Sequence, residues 1–347
     1  MEPLNLENLF VSLIIPARNE EAFIGKCLDS LVNNIFPKSQ MEIAIVDGMS
    51  KDGTRNIVKD YMKRFPFIKL LDNPKKIIPA AMNIGIKNTR GGIVMKIDAH
   101  AVYSTNYISL CVDHLLRYKV DNVGGVIVTS PREKTLMGYA IAHTISSLLG
   151  VGKSSFRLGC RQPIYADAVF SGCYKREVLE KVGFFDENIA RSEDIALNSK
   201  IRRNNGKILL VPEIISYYFA RSSFGSFLRH NFDNGFWITY PLKFRYLLFS
   251  YRHLIPLVFV SSLVVLFLLS FHFKSFYFIL LFLISIYLVV SCYFSSMVAF
   301  KEKDIRYFFL MPVLYLSLHL SYGLGSLFGL VNTVMNLRGL CSLKNRS

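Results

Sequence analysis

Cysteine and tryptophan are scarce in this 347-residue sequence, which contains six cysteines and one tryptophan. No two cysteines have the Cys-x-x-Cys spacing, which argues against a structural zinc site and against a disulfide framework. The scattered thiols fit a reducing compartment. Helix-turn-helix, zinc-finger and RNA-binding motifs are also lacking, as are internal repeats. These absences argue against a nucleic-acid-binding protein.

Acidic residues are fewer than basic residues. The sequence contains 25 Asp and Glu and 41 Lys and Arg, so its formal net charge is +16. A basic excess predicts an anionic partner, such as a membrane surface or a phosphorylated substrate. The N-terminus is acidic and lacks the basic start and apolar core of a signal peptide. The soluble part of the chain is therefore expected on the cytoplasmic side of the cell (inner or plasma) membrane.

Hydrophobic residues make up 52% of the sequence and are concentrated beyond about residue 250. Three uncharged apolar stretches follow there, at residues 254–271, 276–300 and 307–331. A membrane-spanning helix needs ~20 apolar residues, so the first two stretches are predicted to span. The third is long enough, but it is interrupted by one proline and three glycines: Pro312, Gly323, Gly325 and Gly329.

The basic residues around these stretches predict conflicting orientations. With the soluble part inside, Lys301, Lys303 and Arg306 also lie inside, as the positive-inside rule prefers. A complete third span would then place the C-terminal basic residues outside: Arg338, Lys344 and Arg346. A re-entrant or interfacial third segment that turns back near its glycines is one hypothesis that removes the conflict.

A basic and aromatic segment at residues 221–250 precedes the apolar stretches. Its residues include Arg221, Arg229, His230, Lys243 and Arg245, interleaved with Phe224, Phe227, Phe232, Phe236, Trp237 and Tyr240. Such a mixture predicts a segment that lies on the membrane interface. An amphipathic helix packed on the soluble domain is the alternative. The predicted division is a soluble domain at 1–220, the interfacial segment at 221–250, and a membrane region at 251–338 with two to three transmembrane helices.

Residues 1–220 alternate between strand-like and helix-like patterns. Apolar runs predict strands at residues 11–15, 43–46, 68–71 and 93–97. Apolar spacing predicts helices at residues 20–31, 53–65 and 80–87, the last preceded by Pro79. The alternation predicts an α/β fold with a mostly parallel, mixed sheet between helices. Ligands of such folds bind beyond the carboxyl ends of the strands, where Pro16, Asp47 and Asp98 are expected.

Asp98-Ala99-His100 directly follows the fourth predicted strand. A carboxylate and a neutral imidazole at this spacing suit a divalent ion such as Mn²⁺ or Mg²⁺. Such an ion can hold a diphosphate and neutralise its charge as it leaves. The spacing alone fits a structural role equally, with Asp98 capping the next element. The choice between a metal site and a structural role therefore depends on the other motifs of the chain.

Two turns carry further candidates. Pro16-Ala17-Arg18-Asn19-Glu20 leads from the first strand into the first helix, where exposed amides favour an anion or a nucleotide base. Asn19 is predicted to be the N-cap of that helix, and a plain strand-to-helix turn is the alternative. Asp47 ends the second strand, where its carboxylate can accept hydrogen bonds from a base or a ribose. Asp52 and Thr54 are predicted to cap the next helix.

Ser192-Glu193-Asp194 begins a helical pattern that continues over residues 195–203. Acids in the first turn of a helix are favoured by the helix dipole in any case. A carboxylate held there can also take the proton of an attacking hydroxyl. The residues alone leave both interpretations open.

Taken together, these segments resemble glycosyltransferase family 2, whose members have the GT-A fold. The resemblance covers residues 11–218 and rests on the order of six elements. These are Pro16-Ala17-Arg18-Asn19-Glu20; Val46-Asp47-Gly48-Met49-Ser50-Lys51-Asp52-Gly53-Thr54; Asn83-Ile84-Gly85; Asp98-Ala99-His100; Ser171-Gly172 with Val182-Gly183-Phe184-Phe185-Asp186-Glu187; and Glu193-Asp194. The Asp-Ala-His motif with C-terminal spans is most similar to bacterial exopolysaccharide glucosyltransferases of the succinoglycan type.

The resemblance implies a GT-A catalytic domain over residues 1–220 and a membrane-anchored, inverting, metal-dependent hexosyltransferase. The implied donor is a nucleotide-sugar, and a UDP-sugar is the expected class. The implied acceptor is a hydroxyl of a lipid-linked or saccharide molecule in polysaccharide biosynthesis, next to membrane lipid. Asp194 is implied as the catalytic base, and Asp98 and His100 as ligands of Mn²⁺ or Mg²⁺. Implied substrate-binding residues are Pro16, Ala17, Arg18, Glu20, Asp47, Asn83, Lys75, Asp98, Ser171, Gly172 and Glu193.

The sequence departs from the family pattern at three points. Val46 stands where the family has the first of two acids. Met82 stands where many members have a basic residue, so diphosphate contact is expected from Lys75 or Lys76 instead. The Gln-x-x-Arg-Trp motif of processive synthases is absent, which favours one sugar added per encounter. Two alternatives stay open: transfer to polyprenyl phosphate itself, whose anionic oxygen needs no strong base, and a non-catalytic membrane scaffold.

Overall fold

A computed structural model of the chain describes residues 9–244, 246 and 251–344. The chain divides into two compact units: residues up to Val128 with Ser155–Phe219, and Thr129–Ser154 with the residues from Ala220 onward. This division differs from the predicted one, because Thr129–Ser154 groups with the C-terminal helices instead of the sheet. Of the residues singled out above, Arg245 and Arg346 lie outside the described residues.

Nine strands and thirteen α-helices form within the described residues. The strands are β1 (Val11–Ala17), β2 (Met41–Asp47), β3 (Ile68–Asp72), β4 (Ile93–Lys96), β5 (Ala101–Tyr103), β6 (Asn122–Pro131), β7 (Ile164–Tyr165), β8 (Phe170–Lys175) and β9 (Ile208–Ala220). The helices are α1 (Ile24–Val32), α2 (Thr54–Arg64), α3 (Ile78–Lys87), α4 (Tyr107–Arg117), α5 (Leu136–Thr144), α6 (Leu148–Val151), α7 (Ser155–Leu158), α8 (Arg176–Val182), α9 (Glu193–Arg203), α10 (Phe224–Thr239), α11 (Tyr251–Ser270), α12 (Lys274–Glu302) and α13 (Arg306–Lys344).

The strands form one mixed sheet in the order β3-β2-β1-β4-β8-β6-β9-β5, with β7 paired to β9. β1 pairs in parallel with β2 and β4, and β2 pairs in parallel with β3. This parallel half confirms the α/β prediction made from the strand–helix alternation. In the other half, β8 is antiparallel to β4 and β6, and β9 is antiparallel to β5 and β7. Pairing between strands so distant in sequence is not specified by local periodicity.

The parallel strands are buried on both faces, as expected when helices cover both sides of a sheet. Alternate residues of β1 enter different cores: Leu13 packs in a cluster with Leu28 of α1, and Ile14 packs in a cluster with Met82 of α3. A Cβ at Gly85 would lie only 2.4 Å from Ile14 Cγ2, so the glycine allows α3 to lie close against β1. This packing holds the carboxyl ends of β1, β2 and β4 at one edge.

The second unit contains three helices that are long and apolar enough to cross a membrane: Tyr251–Ser270, Lys274–Glu302 and the Arg306–Met335 part of α13. Many apolar side chains of α11 and α12 are exposed, and Val289 is 69% exposed. Large apolar surfaces of this kind suit contact with lipid. The three predicted apolar stretches therefore correspond to three candidate spans.

The third candidate span does not turn back. α13 is one continuous helix from Arg306 to Lys344 and contains its proline and its glycines. The hypothesis of a re-entrant segment that reverses near the glycines is therefore wrong. The glycines have a packing function instead.

Helix α10, from the basic and aromatic segment, packs closely against α13. A Cβ at Gly235 would lie 1.9 Å from Tyr322 O, and a Cβ at Gly325 would lie 2.0 Å from Phe232 O. Ser326 Oγ of α13 donates to Gly235 O at 3.2 Å. Small residues let helix backbones approach in this way. Gly325 therefore serves a close helix contact and does not reverse the chain.

Helices α5 and α6 join this helical unit rather than the sheet. Ala140 of α5 packs in a cluster with Phe227 of α10 and Tyr315 of α13. His319 Nε2 of α13 lies 3.1 Å from Leu149 O of α6. These contacts explain why residues 129–154 belong with the C-terminal helices.

Candidate active site

A cavity of about 180 Å³ opens at the carboxyl ends of the parallel strands. Six residues with predicted substrate or metal functions line it: Pro16, Ala17, Arg18, Glu20, Asp98 and His100. These residues come from two segments that are about 80 positions apart along the chain, and β1 and β4 bring them together because the two strands are neighbours in the sheet. The structure therefore places the first turn and the Asp-Ala-His motif around one cavity, as predicted.

The turns that follow β1 and β2 are bound to each other. The backbone N–H of Asn19 donates to Ser50 Oγ at 2.8 Å, and the N–H of Lys51 donates to Asn19 Oδ1 at 2.9 Å. α1 begins only at Ile24, and Phe23 precedes it without a side-chain cap. The predicted N-cap function of Asn19 is wrong, because its side chain binds the second turn instead.

Asp52 and Glu21 complete this connection between the turns. Asp52 Oδ1 accepts the N–H of Thr54 at 3.1 Å, at the start of α2, and its Oδ2 accepts the N–H of Glu21 at 3.1 Å. Glu21 Oε2 accepts the N–H of Gly53 at 3.0 Å. Gly53, not Asp52, is the residue that precedes α2, although Asp52 does bind the helix start as expected. Together these bonds hold the turn that carries Arg18 to the cavity.

Asp47 ends β2 and is fully buried. Its Oδ2 accepts hydrogen bonds from Arg55 Nη1 at 2.7 Å and from the N–H of Ser50 at 3.0 Å, and its Oδ1 accepts from Ser50 Oγ at 2.5 Å. Arg55 Nη1 also lies 2.7 Å from Asp72 Oδ1. The carboxylate thus organises the second turn, and the predicted contact of Asp47 with a base or ribose stays a prediction.

His100 lies between two carboxylates at the cavity. Its Nδ1 is 3.0 Å from Asp98 Oδ1 and 3.1 Å from Glu20 Oε1. Burial disfavours the charged imidazolium, but Asp98 and Glu20 outweigh burial and raise the pKa of His100 well above its ordinary value. Burial likewise opposes the charge of Asp98, but His100 outweighs it and lowers the pKa of Asp98 to about 2. The three side chains form one charged cluster.

This cluster offers oxygen and nitrogen donors to a divalent ion. No group of three or more His, Cys, Asp or Glu side chains with metal-site geometry occurs among the described residues. Asp98 nevertheless keeps 24% of its side chain exposed, and Glu20 Oε2 is buried without a hydrogen-bond partner. Carboxylates and an imidazole are ligands that Mn²⁺ accepts, and the unbonded carboxylate oxygen supplies a further donor. The donor types therefore fit such an ion.

Lys96 and Glu193 form a buried ion pair beside the same cavity. Their side chains are 16% and 5% exposed, and Lys96 also lines the cavity. Burial disfavours the charged ammonium, but Glu193 and Asp194 outweigh burial and raise the pKa of Lys96. Asp194 follows in the first turn of α9, where its Oδ1 accepts the N–H of Ile195 at 2.8 Å. The ion pair therefore brings the start of α9 to the cavity wall.

Asn83 and Lys75 bind the loop that follows α8. Asn83 Nδ2 donates to Phe185 O at 2.9 Å and to Glu187 Oε1 at 3.0 Å, and Asn83 Oδ1 accepts the N–H of Phe185 at 3.1 Å. Lys75 Nζ lies 2.5 Å from Glu187 Oε2. Two elements of the family pattern thus contact each other, and Lys76 lines the cavity while Lys75 does not. Substrate contacts of Asn83 and Lys75 stay predictions.

Ser171 is buried and faces Tyr103 in the interior. Its Oγ lies 3.1 Å from Tyr103 Oη, and its carbonyl oxygen accepts from Tyr107 Oη at 3.2 Å. Tyr103 Oη in turn accepts the backbone N–H of Asp98 at 2.7 Å. Around the neighbouring Gly172, a Cβ would lie 2.4 Å from Tyr174 Oη. This segment supports the backbone at Asp98, and a direct contact of Ser171 or Gly172 with substrate stays a prediction.

Two residues at the site were missed by sequence reasoning, Lys96 and Tyr103. The apolar run at residues 93–97 predicts only that Lys96 belongs to a strand. Side chains alternate along a strand, so residues 96 and 98 are expected on the same face, and this signal could have placed Lys96 at the site. Tyr103 carried no such signal, because its contact with Ser171 joins residues 68 positions apart.

Comparisons with known proteins confirm the family that the sequence motifs resemble. The profile of the family described as "Glycosyl transferase family 2" matches residues 12–183. A dolichyl N-acetyl-alpha-D-glucosaminyl phosphate 3-beta-D-2,3-diacetamido-2,3-dideoxy-beta-D-glucuronosyltransferase of Methanococcus voltae is 31% identical over 234 residues, which cover 65% of this chain and 72% of that protein. The succinoglycan biosynthesis protein ExoA of Rhizobium meliloti is 28% identical over 212 residues, which cover 60% of this chain and 63% of that protein.

One solved structure has a similar fold along most of the chain. It is the mannosyltransferase PcManGT from Pyrobaculum calidifontis in complex with GDP-Man and Mn²⁺, with a TM-score of 0.60 at 16% sequence identity. The match covers 93% of this chain and 87% of that chain. At this identity the comparison shows the fold, and it is the GT-A-like α/β fold.

Proposed function

Because the chain belongs to glycosyltransferase family 2, we propose that it is a membrane-anchored, inverting transferase that moves a sugar from a nucleotide-sugar to a hydroxyl of a lipid-linked or saccharide acceptor. One observation carries the proposal. The cavity at the strand ends is lined by the Arg18 turn, by Asp98 and His100, and by Lys96, whose partner Glu193 precedes Asp194. The residues proposed for the nucleotide and for the metal thus line one cavity, and the proposed base follows the ion-pair partner of a third lining residue.

The nucleotide is proposed to bind against the two joined turns. Pro16, Ala17 and Arg18 line the cavity together with Ile77 and Ile78. A guanidinium beside apolar walls suits a base with phosphates attached, because the ring needs apolar contact and the phosphates need positive charge. Asp47 contributes indirectly, since its bonds to Ser50 and Arg55 hold the second turn in place.

Asp98 and His100, with Glu20 beside them, are proposed to hold Mn²⁺ or Mg²⁺. A bound ion would supply charge neutralisation to the leaving diphosphate. For this purpose His100 must be neutral, so metal binding is expected to release the proton that Asp98 and Glu20 hold on its ring. Tyr103 keeps the Asp98 backbone in position through the N–H bond at 2.7 Å.

Asp194 is proposed to be the base. It would take the proton of the acceptor hydroxyl as the oxygen attacks the anomeric carbon from the face opposite the leaving group, which inverts the configuration. Its place in the first turn of α9 fixes the direction of the carboxylate, whose Oδ1 accepts the N–H of Ile195 at 2.8 Å.

The acceptor is proposed to be held at a membrane. The three candidate spans would keep the catalytic domain on the cytoplasmic surface of the inner or plasma membrane, next to lipid-linked acceptors. The acceptor named for the Methanococcus voltae relative, a dolichyl-linked sugar phosphate, supports this choice. A UDP-sugar is the proposed donor.

The proposal is tested with the purified full chain in detergent or nanodiscs. UDP-, GDP- and dTDP-sugars are supplied with Mn²⁺ and a polyprenyl-linked saccharide, and release of the nucleoside diphosphate and extension of the acceptor are measured. We expect one donor class to support transfer. A protein that binds no nucleotide-sugar by calorimetry and releases no nucleotide from the panel would overturn the proposal in favour of a scaffold. Transfer to polyprenyl phosphate alone would assign the acceptor to the phosphate instead of a hydroxyl.

A further inference from the structure

The Lys96–Glu193 ion pair connects a residue of the cavity lining to the start of α9. Lys96 ends β4, two positions before Asp98, and its ammonium contacts Glu193 Oε1. Both side chains are nearly inaccessible, at 16% and 5% exposed. A buried carboxylate keeps its charge only when a partner compensates it, so neither residue is free to leave the other.

The pair also lies next to the proposed base. Asp194 is adjacent to Glu193 in the first turn of α9, and its Oδ1 accepts the N–H of Ile195 at 2.8 Å. Ser192, the residue before α9, has a left-handed backbone with φ of 63°, so the chain turns sharply into the helix at this point. Such a turn is costly for serine and must be held by contacts around it. The Lys96–Glu193 pair is a contact of this kind.

We propose that Lys96 is a positioning residue of the transfer reaction: through Glu193 it holds the first turn of α9, and with it the Asp194 carboxylate, beside the donor cavity. This inference rests on the proposed function. Lys75 and Lys76, which the departure at Met82 points to as diphosphate contacts, are a different case, because Lys75 binds Glu187 in the loop before α9. Since Glu193 cancels its charge, Lys96 orients a carboxylate and does not serve as the main cation of the diphosphate.

The decisive variant removes the pair without leaving a buried charge. In Lys96→Met/Glu193→Gln, the local net charge is unchanged, so the Kd of the nucleotide-sugar with Mn²⁺, measured by calorimetry, is expected to stay within about threefold of wild type. The kcat at saturating donor and acceptor is expected to fall about tenfold or more, because loss of orientation acts on the chemical step. Lys96→Arg, which can bind Glu193 again, is expected to recover most of that loss.

Lys69→Met is the matched control. Lys69 also lies on a strand and binds a partly buried glutamate, with its Nζ 2.7 Å from Glu42 Oε2, but it does not line the cavity. We expect its loss to lower the thermal midpoint while kcat and donor Kd stay unchanged. Comparing the two variants at a temperature well below both midpoints separates a fold effect from a positioning effect.

Two outcomes would overturn the inference. A double variant with wild-type kcat would mean that the pair only stabilises the fold. A donor Kd weakened tenfold, with kcat at saturation preserved, would mean that Lys96 binds the donor directly. Either result leaves the proposed function intact, because wild-type transfer is measured in the same assay. Absence of wild-type transfer would be a failure of the proposed function itself.

Discussion

Arg55 Nη1 lies 2.7 Å from Asp47 Oδ2, and this contact joins the end of β2 to the first turn of α2. The arginine side chain is 31% exposed and the aspartate is fully buried, so the carboxylate loses more of its hydration on folding than the guanidinium does. The carboxylate also binds the Ser50 backbone, and Ser50 binds Asn19. One ion pair therefore supports both turns that surround the proposed nucleotide site.

Arg55→Met is expected to destabilise the first unit by about 1–3 kcal/mol, because it leaves a buried carboxylate without its charged partner. The thermal midpoint of the purified protein measures the loss, and donor binding by calorimetry should weaken with it. The control is Lys63→Met on the same helix, which removes an exposed pair with Asp60 and should leave the midpoint nearly unchanged. An unaltered midpoint in Arg55→Met would contradict the support function.

Asp194→Asn is expected to reduce kcat by ~10²–10⁴-fold, since the amide cannot accept the hydroxyl proton. The Kd of the nucleotide-sugar should change little. Asp167→Asn is a suitable control, because Asp167 pairs with Arg202 on the surface and lies outside the first turn of α9. Near-normal turnover of Asp194→Asn on a hydroxyl acceptor would refute the assignment of the base.

Asp98→Asn and His100→Ala are each expected to weaken Mn²⁺ binding by about tenfold or more, because each removes a proposed ligand. Calorimetry with Mn²⁺ alone measures this without any dependence on activity, and EDTA should abolish transfer by the wild-type protein. Asp29→Asn, at a carboxylate bound to Tyr61 away from the cavity, should bind Mn²⁺ normally. Unchanged Mn²⁺ affinity in both site variants would remove the metal assignment.

Glu42 is expected to make stability depend on pH below about 5. Burial opposes its charge, but Lys69, Arg90 and Ser12 outweigh burial and lower the pKa of Glu42 below its ordinary value of 4.5. A carboxyl with a lower pKa in the folded state contributes stability above its unfolded pKa and loses it as the pH falls through the folded pKa. In Glu42→Gln, the thermal midpoint should therefore fall less steeply between pH 5 and pH 3.

The control for this pH series is Glu180→Gln, at an exposed position of α8. It should retain the wild-type slope of thermal midpoint against pH. If Glu42→Gln and the wild type lose stability in parallel, another carboxyl is responsible for the acid sensitivity.

Gly325→Leu is expected to disrupt the contact between α10 and α13, because even a Cβ at this position would lie 2.0 Å from Phe232 O. Overpacking of this kind costs about 1–3 kcal/mol or more, since the backbone of one helix must move. The test is the thermal midpoint and the yield of monodisperse protein. Gly225→Ala, near the start of α10, meets no atom within 4 Å and should be neutral or slightly stabilising. Equal behaviour of the two variants would contradict close helix packing.

Local patterns predicted the parallel half of the sheet and the turns at its edge. The runs at residues 11–15, 43–46 and 93–97 are apolar except for Ser12 and Lys96, because these strands are buried on both faces. Such runs are recognisable without knowledge of their partners. The predicted Asn19 cap failed for the opposite reason. A cap can be assigned from local sequence only when the side chain has no better partner, and Asn19 binds Lys51 in another turn.

The glycines of α13 show the same limit. In the sequence, Gly323, Gly325 and Gly329 interrupt an apolar stretch and suggest a break. In the fold they allow a second helix backbone to approach, and the stretch stays helical from Arg306 to Lys344. The sequence cannot distinguish these functions. A glycine destabilises an isolated helix, but it stabilises the packing of two helices whose backbones lie close together.

The sequence by itself determined which residue types meet at the strand ends: Arg18, Asp47, Asp98 and His100 follow predicted strands, and parallel strands of one sheet end at one edge. Only the tertiary structure decided which charges bind each other. Lys96 and Glu193 are 97 positions apart, and their pairing depends on the antiparallel half of the sheet that brings α9 back to β4. Local periodicity reports which face of a strand or helix is buried, whereas an ion pair requires two such faces to be placed against each other.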